Sequence, residues 1–306
     1  MGLTSAKIFL CAAFALALCQ NVLSFNNPPD FYFKKNDSVG YDIVTVIKET
    51  EHEATDVVGR TYAMEQQFPF MAVVHKLLGA GKFTQCSGSI ISNRWVLTAG
   101  HCLDIHPKEY LVVFGITNKT GIKYNFYSGP GVAMITKEAF RHPQINDIDC
   151  DIGLLYMPQD IPYSKTIQPI TLADGSYEKV NINGKLAAVV GWERDSLTTQ
   201  SSKRLKYILS AIISNAECEK YWVIKNVHIC TLAIEHDEAC QGDSGGPLFI
   251  VDNNKFIQVG LISYGGLCRG TITPSVYLRI STFESWLRAQ ETKMQKIITF
   301  LYGTPR

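Results

Sequence analysis

From residue 57 onward, the chain alternates short apolar runs with turn-forming residues. The runs are rich in β-branched and aromatic side chains, and Gly, Pro, Asn and Asp interrupt them. The runs that predict strands cover residues 70–74, 89–91, 95–97, 110–114, 186–190, 248–251 and 256–262. Many short strands without intervening helices favour an all-β barrel or sandwich.

One stretch near the C-terminus has a helical pattern instead. Phe283, Trp286 and Leu287 recur at spacings of three and four residues, which places them on one face of a helix. We expect this face to pack on the β-structure. Residues 291–306 form a C-terminal tail to which the pattern assigns no role.

The first residues have a different character from the rest of the chain. Lys7 precedes the apolar run 8–18, and small residues stand at Ala17 and Cys19. This combination predicts a secretory signal peptide over residues 1–19, with a membrane anchor as the alternative. The polar and acidic residues 20–56 are interpreted as a pro-segment rather than a domain. We therefore expect a secreted, extracellular protein that is not held in a membrane.

Composition limits the possible classes of function. The 306 residues are 46% hydrophobic, enough for one all-β domain with appendages. The formal net charge of +1 provides no basic field for nucleic acid. Nine cysteines are present; without Cys11 and Cys19 in the predicted signal peptide, seven remain. This odd number cannot pair completely within one chain.

The stretch 240–247, Cys-Gln-Gly-Asp-Ser-Gly-Gly-Pro, carries the clearest chemical signal. Glycines on both sides of Ser244 allow a tight turn that displays the hydroxyl group. A serine hydroxyl is a weak nucleophile near neutral pH, so it needs a neighbouring base and a group that orients this base. The chain should therefore supply a histidine and a carboxylate.

Both groups are present upstream in strand-like contexts. His101 follows an apolar run in Thr98-Ala99-Gly100-His101-Cys102, and Asp151 directly precedes the apolar run 152–155. In the order His, Asp, Ser, these segments resemble those of the chymotrypsin/trypsin family of serine proteases, from about residue 57 to about residue 287. The resemblance implies two six-stranded antiparallel barrels with the site in the cleft between them.

The same resemblance implies a role for each residue of the site. Ser244 is the nucleophile, His101 the general base and Asp151 the group that orients it. The backbone amides of Gly242 and Ser244 form the oxyanion hole. Asp149 is a competing carboxylate, which we expect on a solvated loop because Asp151 directly precedes the strand.

The resemblance also predicts how the protein is activated. The family pairs a new N-terminus with the carboxylate next to the nucleophile, here Val57 with Asp243. The bond to be cut is then Asp56–Val57, which lacks the usual basic residue before the cut. We expect an activating protease of acidic or unusual specificity. Arg60 replaces a glycine that the family usually has.

Four further residues correspond to the family's substrate-binding positions. Ser263 and Gly265 belong to the segment that pairs with the substrate backbone, while Glu238 and Ser275 shape the pocket. Glu238 favours Lys or Arg before the cleaved bond, but its length and Ser275 shorten the pocket, so a preference for a small or apolar residue stays open. The partner is a protein or peptide substrate.

Three disulfides are implied by the resemblance: Cys86–Cys102, Cys218–Cys230 and Cys240–Cys268. Cys150 is then left over, as a buried free thiol or as a link to another segment or chain.

Asn36 and Asn118 begin glycosylation sequons. We expect no cofactor. We also expect no metal site: the loop 116–126, where members of the family often gather carboxylates for calcium, contains none. The alternative function is a catalytically silent binding or adhesion protein on the same fold.

Overall fold

The computed structural model describes two strands in residues 30–36 and 40–46. It then describes residues 61–302 except 105–107, 146, 193–201, 234–243 and 264–272. The strands of this part are β1 (Asp30–Asn36), β2 (Gly40–Val46), β3 (Thr61–Tyr62), β4 (Met71–Gly79), β5 (Lys82–Ile90), β6 (Trp95–Ala99), β7 (Glu109–Phe114), β8 (Val132–Thr136), β9 (Glu138–Arg141), β10 (Ile152–Tyr156), β11 (Thr171–Leu172), β12 (Leu186–Gly191), β13 (Lys206–Ile213), β14 (His228–Thr231), β15 (Pro247–Asp252), β16 (Lys255–Leu261) and β17 (Ser275–Arg279). The helices are α1 (Asn215–Cys218) and α2 (Glu284–Tyr302).

The first barrel contains seven antiparallel strands in the order β8-β7-β4-β5-β6-β10-β9. Its two end strands, β8 and β9, are separated only by Lys137, so one bent strand closes the sheet. Counted in this way, the barrel has the six strands that the family resemblance implied. Closure removes the exposed edges that an open sheet would leave.

The second barrel is built around the six strands β12 to β17. A pairing of β16 with β17, through Gly260 with Arg279 and Leu261 with Leu278, closes it. Two short strands join it: β11 runs parallel to β16, and β3 pairs with β13. The six strands β12 to β17 are the number that the family resemblance implied, and β3 and β11 are two-residue additions to them.

Each barrel has its own apolar core. Inward side chains of alternate strand positions fill the first, including Val74, Val112 and Leu155. The core of the second barrel includes Val189 and Ile250. Fully burying a side chain of this size stabilises the fold by about 2 kcal/mol. Each of the seven predicted runs overlaps a strand. These strands are buried along most of their length, which gives the continuous apolar runs from which they were predicted.

Helix α2 packs on a third apolar cluster to which both barrels contribute. Phe283, just before the helix, lies in this cluster with Leu287 and Met294, beside Leu154 of β10 and Leu278 of β17. The predicted packing of the helical face is thus confirmed. The helix continues to Tyr302, so the boundary expected at residue 290 falls inside it. Among the described helices, none has the length and apolarity needed to cross a membrane.

Strands β1 and β2 pair antiparallel from Asp30 opposite Val46 to Asn36 opposite Gly40. The segment 20–56 was interpreted as a pro-segment, and no strand was predicted in it. Its β-branched and aromatic runs, Phe-Tyr-Phe and Ile-Val-Thr-Val, are nevertheless typical of strands. Their charged and polar neighbours obscured this signal.

Candidate active site

Strand pairing in the first barrel brings His101 and Asp151 together. His101 lies in the 3-10 helix Gly100–Cys102 directly after β6, and Asp151 directly precedes β10. These two strands are antiparallel, with Ala99 opposite Ile152. The end of one strand therefore lies beside the start of the other, although 50 residues separate the two side chains.

Two contacts fix His101 against the carboxylate of Asp151. His101 Nδ1 lies 2.7 Å from Oδ2, and the His101 backbone N–H donates to Oδ1 at 2.6 Å. The histidine side chain is 47% exposed and that of Asp151 only 8%. Because Nδ1 faces Asp151, the other ring nitrogen, Nε2, is the one that can exchange a proton with a further group. Gly100 packs closely at this point, because an added Cβ would lie 3.1 Å from both Asp151 Oδ1 and the Ile152 carbonyl oxygen.

Asp151 also contacts the second barrel. The hydroxyl of Ser263, two residues after the end of β16, donates to Asp151 Oδ2. Burial raises the pKa of Asp151, but the hydrogen bonds from His101 and Ser263 outweigh it, so the net pKa lies below the usual value. The carboxylate is thus ionised at neutral pH, as a group that orients and stabilises a histidine cation must be.

Ser244 lies in the turn just before β15, against the first barrel. Its carbonyl accepts from the Ser87 N–H at 2.9 Å, and the Cys102 sulfur lies 3.7 Å from the same oxygen. Gly245 follows with φ +85°, and an added Cβ would approach Thr98 Oγ1 to 2.1 Å. Only glycine fits this left-handed, crowded position. The turn therefore places Ser244 beside Cys102, the residue that follows His101.

Two disulfides in the described residues join the predicted partners. Cys86–Cys102 links β5 to the 3-10 helix of His101, and Cys218–Cys230 links α1 to β14. The predicted partners Cys240 and Cys268 lie outside the described residues. Cys150 is free and half-buried, which is less buried than expected. Burial and the neighbouring Asp147 and Asp149 raise the pKa of its thiol.

The other predicted site residues fall into two groups. Ser275 begins β17 and is half-buried, while Ser263 is buried against Asp151. The remaining residues, Val57, Glu238, Gly242, Asp243 and Gly265, lie outside the described part of the chain. Sequence reasoning assigned Ser263 to substrate binding and missed its bond to Asp151, because a contact across 112 residues leaves no local pattern.

The expectation for Asp149 is wrong. This carboxylate is 6% exposed instead of solvated. Its oxygens contact the Lys225 ammonium and His228 Nε2 of the second barrel. A buried carboxylate requires such partners, and they come from a distant part of the sequence.

In the described part of the chain, one group of side chains has a spacing suitable for a metal ion: Cys86, His101 and Cys102. Its two sulfurs are joined in a disulfide, so they offer no thiolate ligand. This group does not fit a metal.

The profile of the trypsin family matches residues 57–287. This chain belongs to the trypsin family of serine proteases. It is 32% identical over 241 residues to chymotrypsin-2 of Vespa crabro, covering 77% of this chain and 100% of that protein. Chymotrypsin of Phaedon cochleariae is 29% identical over 235 residues, covering 76% of this chain and 81% of the relative.

A solved collagenase structure has the same architecture. It superposes with a TM-score of 0.64 at 25% identity, covering 76% of this chain and 96% of that structure. This trypsin-family chain is therefore a serine-type endopeptidase with the family's two-barrel fold, and proteins are its class of substrate.

Proposed function

We propose that this protein is a secreted endopeptidase that cleaves peptide bonds through an acyl-enzyme on Ser244. The observation that carries the proposal is the hydrogen bond of 2.7 Å between His101 Nδ1 and the buried, ionised Asp151. This bond fixes the tautomer in which Nε2 is free to accept a proton. Ser244 lies beside the same helix through its contacts with Ser87 and Cys102.

In the proposed reaction, Ser244 Oγ attacks the carbonyl carbon while its proton moves to His101 Nε2. The tetrahedral intermediate collapses, the C–N bond breaks, and His101 returns the proton to the departing amine. Water then repeats the sequence on the acyl-enzyme, releasing the acid and restoring Ser244. Asp151 stabilises the histidine cation in both halves. The amides of Gly242 and Ser244, assigned by resemblance, hold the oxyanion.

Four residues are proposed to determine which substrates are cleaved. Glu238 and Ser275 are proposed to shape the pocket before the cleaved bond, with Ser263 and Gly265 in the adjoining segment. The carboxylate of Glu238 supports a preference for Lys or Arg before the cleaved bond, whereas the short pocket supports a small or apolar residue there.

Secretion through residues 1–19 is supported by the two disulfides, because such bonds persist in oxidising compartments.

Replacement of the nucleophile tests this function. In the processed protein, Ser244→Ala should lower kcat on peptide and ester substrates by roughly four to six orders of magnitude. It should also abolish labelling by an organophosphonate that traps activated serines. The matched control is Ser210→Ala, because Ser210 lies in β13 and its hydroxyl donates to the Leu232 carbonyl. Activity that survives Ser244→Ala would contradict the proposal and leave the binding protein as the better interpretation.

A further inference from the structure

Asp149 connects the two barrels from a position two residues before Asp151. It lies in the 3-10 helix Ile148–Cys150 of the first barrel, while its partners, Lys225 and His228, belong to the second. Asp149 Oδ1 lies 3.0 Å from His228 Nε2, and Oδ2 accepts from the Lys225 ammonium. We call Asp149, Lys225 and His228 the inter-barrel latch.

The second-barrel side of the latch is firmly held. His228 is 1% exposed, and its Nδ1 accepts from the Lys225 backbone N–H at 3.0 Å. The proton of the neutral ring is therefore on Nε2, which donates to Asp149. Arg279 of β17 donates to the His228 carbonyl through Nε at 3.1 Å and Nη2 at 2.8 Å. These contacts leave the imidazole little freedom to move.

On the first-barrel side, hydrogen bonds within one turn connect Asp149 to Asp151. The side chain of Asp147 accepts from the Asp149 N–H at 3.1 Å, and its carbonyl accepts from the Cys150 N–H at 2.9 Å. One short turn thus includes Asp149 and ends at Asp151, which pairs with His101. Movement of Asp149 would displace this turn and the carboxylate that follows it.

We propose that Asp149 is a positioning residue, and that the inter-barrel latch holds Asp151 in register with His101. This inference rests on the proposed triad and adds the three latch residues to the groups that position it. Ser263 holds the Asp151 carboxylate itself, whereas the latch holds the backbone turn that carries it. An error of about 1 Å in a catalytic group can cost roughly a hundredfold in rate, so a second restraint has a kinetic effect.

A test starts at Lys225, whose side chain is 59% exposed. Its replacement should not prevent folding. In the processed protease, Lys225→Met should lower kcat per organophosphonate-titrated site by roughly tenfold, with KM changed by less than about threefold. Lys225→Arg keeps the charge and should restore kcat to within about twofold of the wild type. Asp149→Asn should lower kcat at least as much as Lys225→Met.

The matched control is Lys220→Met, because Lys220 is 62% exposed and pairs with Glu217 on the surface. It should leave kcat unchanged. A second readout is the reaction of Cys150 with a maleimide, followed by peptide mapping. Cys150 lies between Asp149 and Asp151, so its labelling should become faster in Lys225→Met and Asp149→Asn but not in Lys220→Met.

The outcomes separate this inference from the proposed function. A purely structural role would lower the number of titrated sites or the melting temperature and leave kcat per site unchanged. If Lys225→Met and Asp149→Asn keep kcat within twofold while Ser244→Ala is inactive, the latch inference is wrong and the triad stands. If Ser244→Ala remains active, both are wrong.

Discussion

At the scale of single residues, the buried imidazole of His75 makes the stability of the fold depend on pH. His75 in β4 is 3% exposed and stacks on Phe83, with ring centroids 4.1 Å apart. Both ring nitrogens lack a hydrogen-bond partner of normal geometry in the described part of the chain. Burial, together with the positive charge of Lys119, lowers the pKa of His75 from 6.5 to about 4.

The sign of the pH effect follows from this lowered pKa. Between pH 6.5 and about 4, the unfolded chain binds a proton at His75 that the folded chain does not. Stability is therefore lost as the pH falls through this window, reaching about 3 kcal/mol at its lower end. His75→Leu removes the group, so its free energy of unfolding should fall less between pH 7 and pH 4.

Denaturant unfolding at several pH values measures this difference. The two proteins should differ by a constant amount above pH 7, where His75 is neutral in both states, which provides an internal control. An equal loss of stability in wild type and variant down to pH 4 would show that His75 is charged or solvated in the folded protein.

At the scale of secondary-structure elements, helix α2 extends beyond the part of the chain that matches the trypsin family. The family profile ends at residue 287, and α2 continues to Tyr302. Met294 in this extension is 6% exposed and belongs to the same apolar cluster as Leu287. The extension is therefore anchored on the barrels through the face that the sequence pattern began to predict.

Removing the Met294 side chain tests this anchoring. Met294→Ala should lower the free energy of unfolding by about 2–3 kcal/mol, because it leaves a cavity in a packed cluster. Phe300→Ala on the same helix is the matched control: Phe300 is 87% exposed, and its loss should change stability by less than about 0.5 kcal/mol. Equal effects of the two substitutions would argue against the observed packing of α2.

At the scale of the whole molecule, the two-barrel site is proposed to depend on a cut in the precursor. The predicted bond is Asp56–Val57, and the family profile begins at Val57. The new ammonium group is expected to pair with Asp243, next to Ser244. A pocket containing Glu238 would repel Asp56 when both carboxylates are desolvated, so self-cleavage at this bond is disfavoured.

We therefore expect the purified precursor to remain inactive until another protease cuts after Asp56. N-terminal sequencing of the active form should give Val57-Val58-Gly59. Asp56→Arg should change the activator from one of acidic specificity to a trypsin-like one, while Lys48→Ala should leave activation unchanged. Spontaneous maturation of the pure precursor, or an active form with another N-terminus, would refute this scheme.

The sequence by itself determined the fold class, the family and the chemically distinctive segments. Short apolar runs rich in β-branched and aromatic residues predicted the strands, because strands that are buried at successive positions produce that local pattern. His101, Asp151 and Ser244 were recognisable because each lies in a short motif that turn geometry and close packing require. Gly245 is an example, since a side chain at its left-handed position would collide with the backbone of Ser87 and Ala99.

Only the tertiary structure decided which distant groups meet. Asp149 was expected in solvent, yet Lys225 and His228 bury it from 76 and 79 residues away. The bond of Ser263 to Asp151 and the burial of the His75 imidazole were equally hidden. The physical reason is that the charge state and solvation of a polar side chain depend on neighbours brought by barrel closure and by the packing of one barrel on the other. Neither event leaves a pattern in the local sequence.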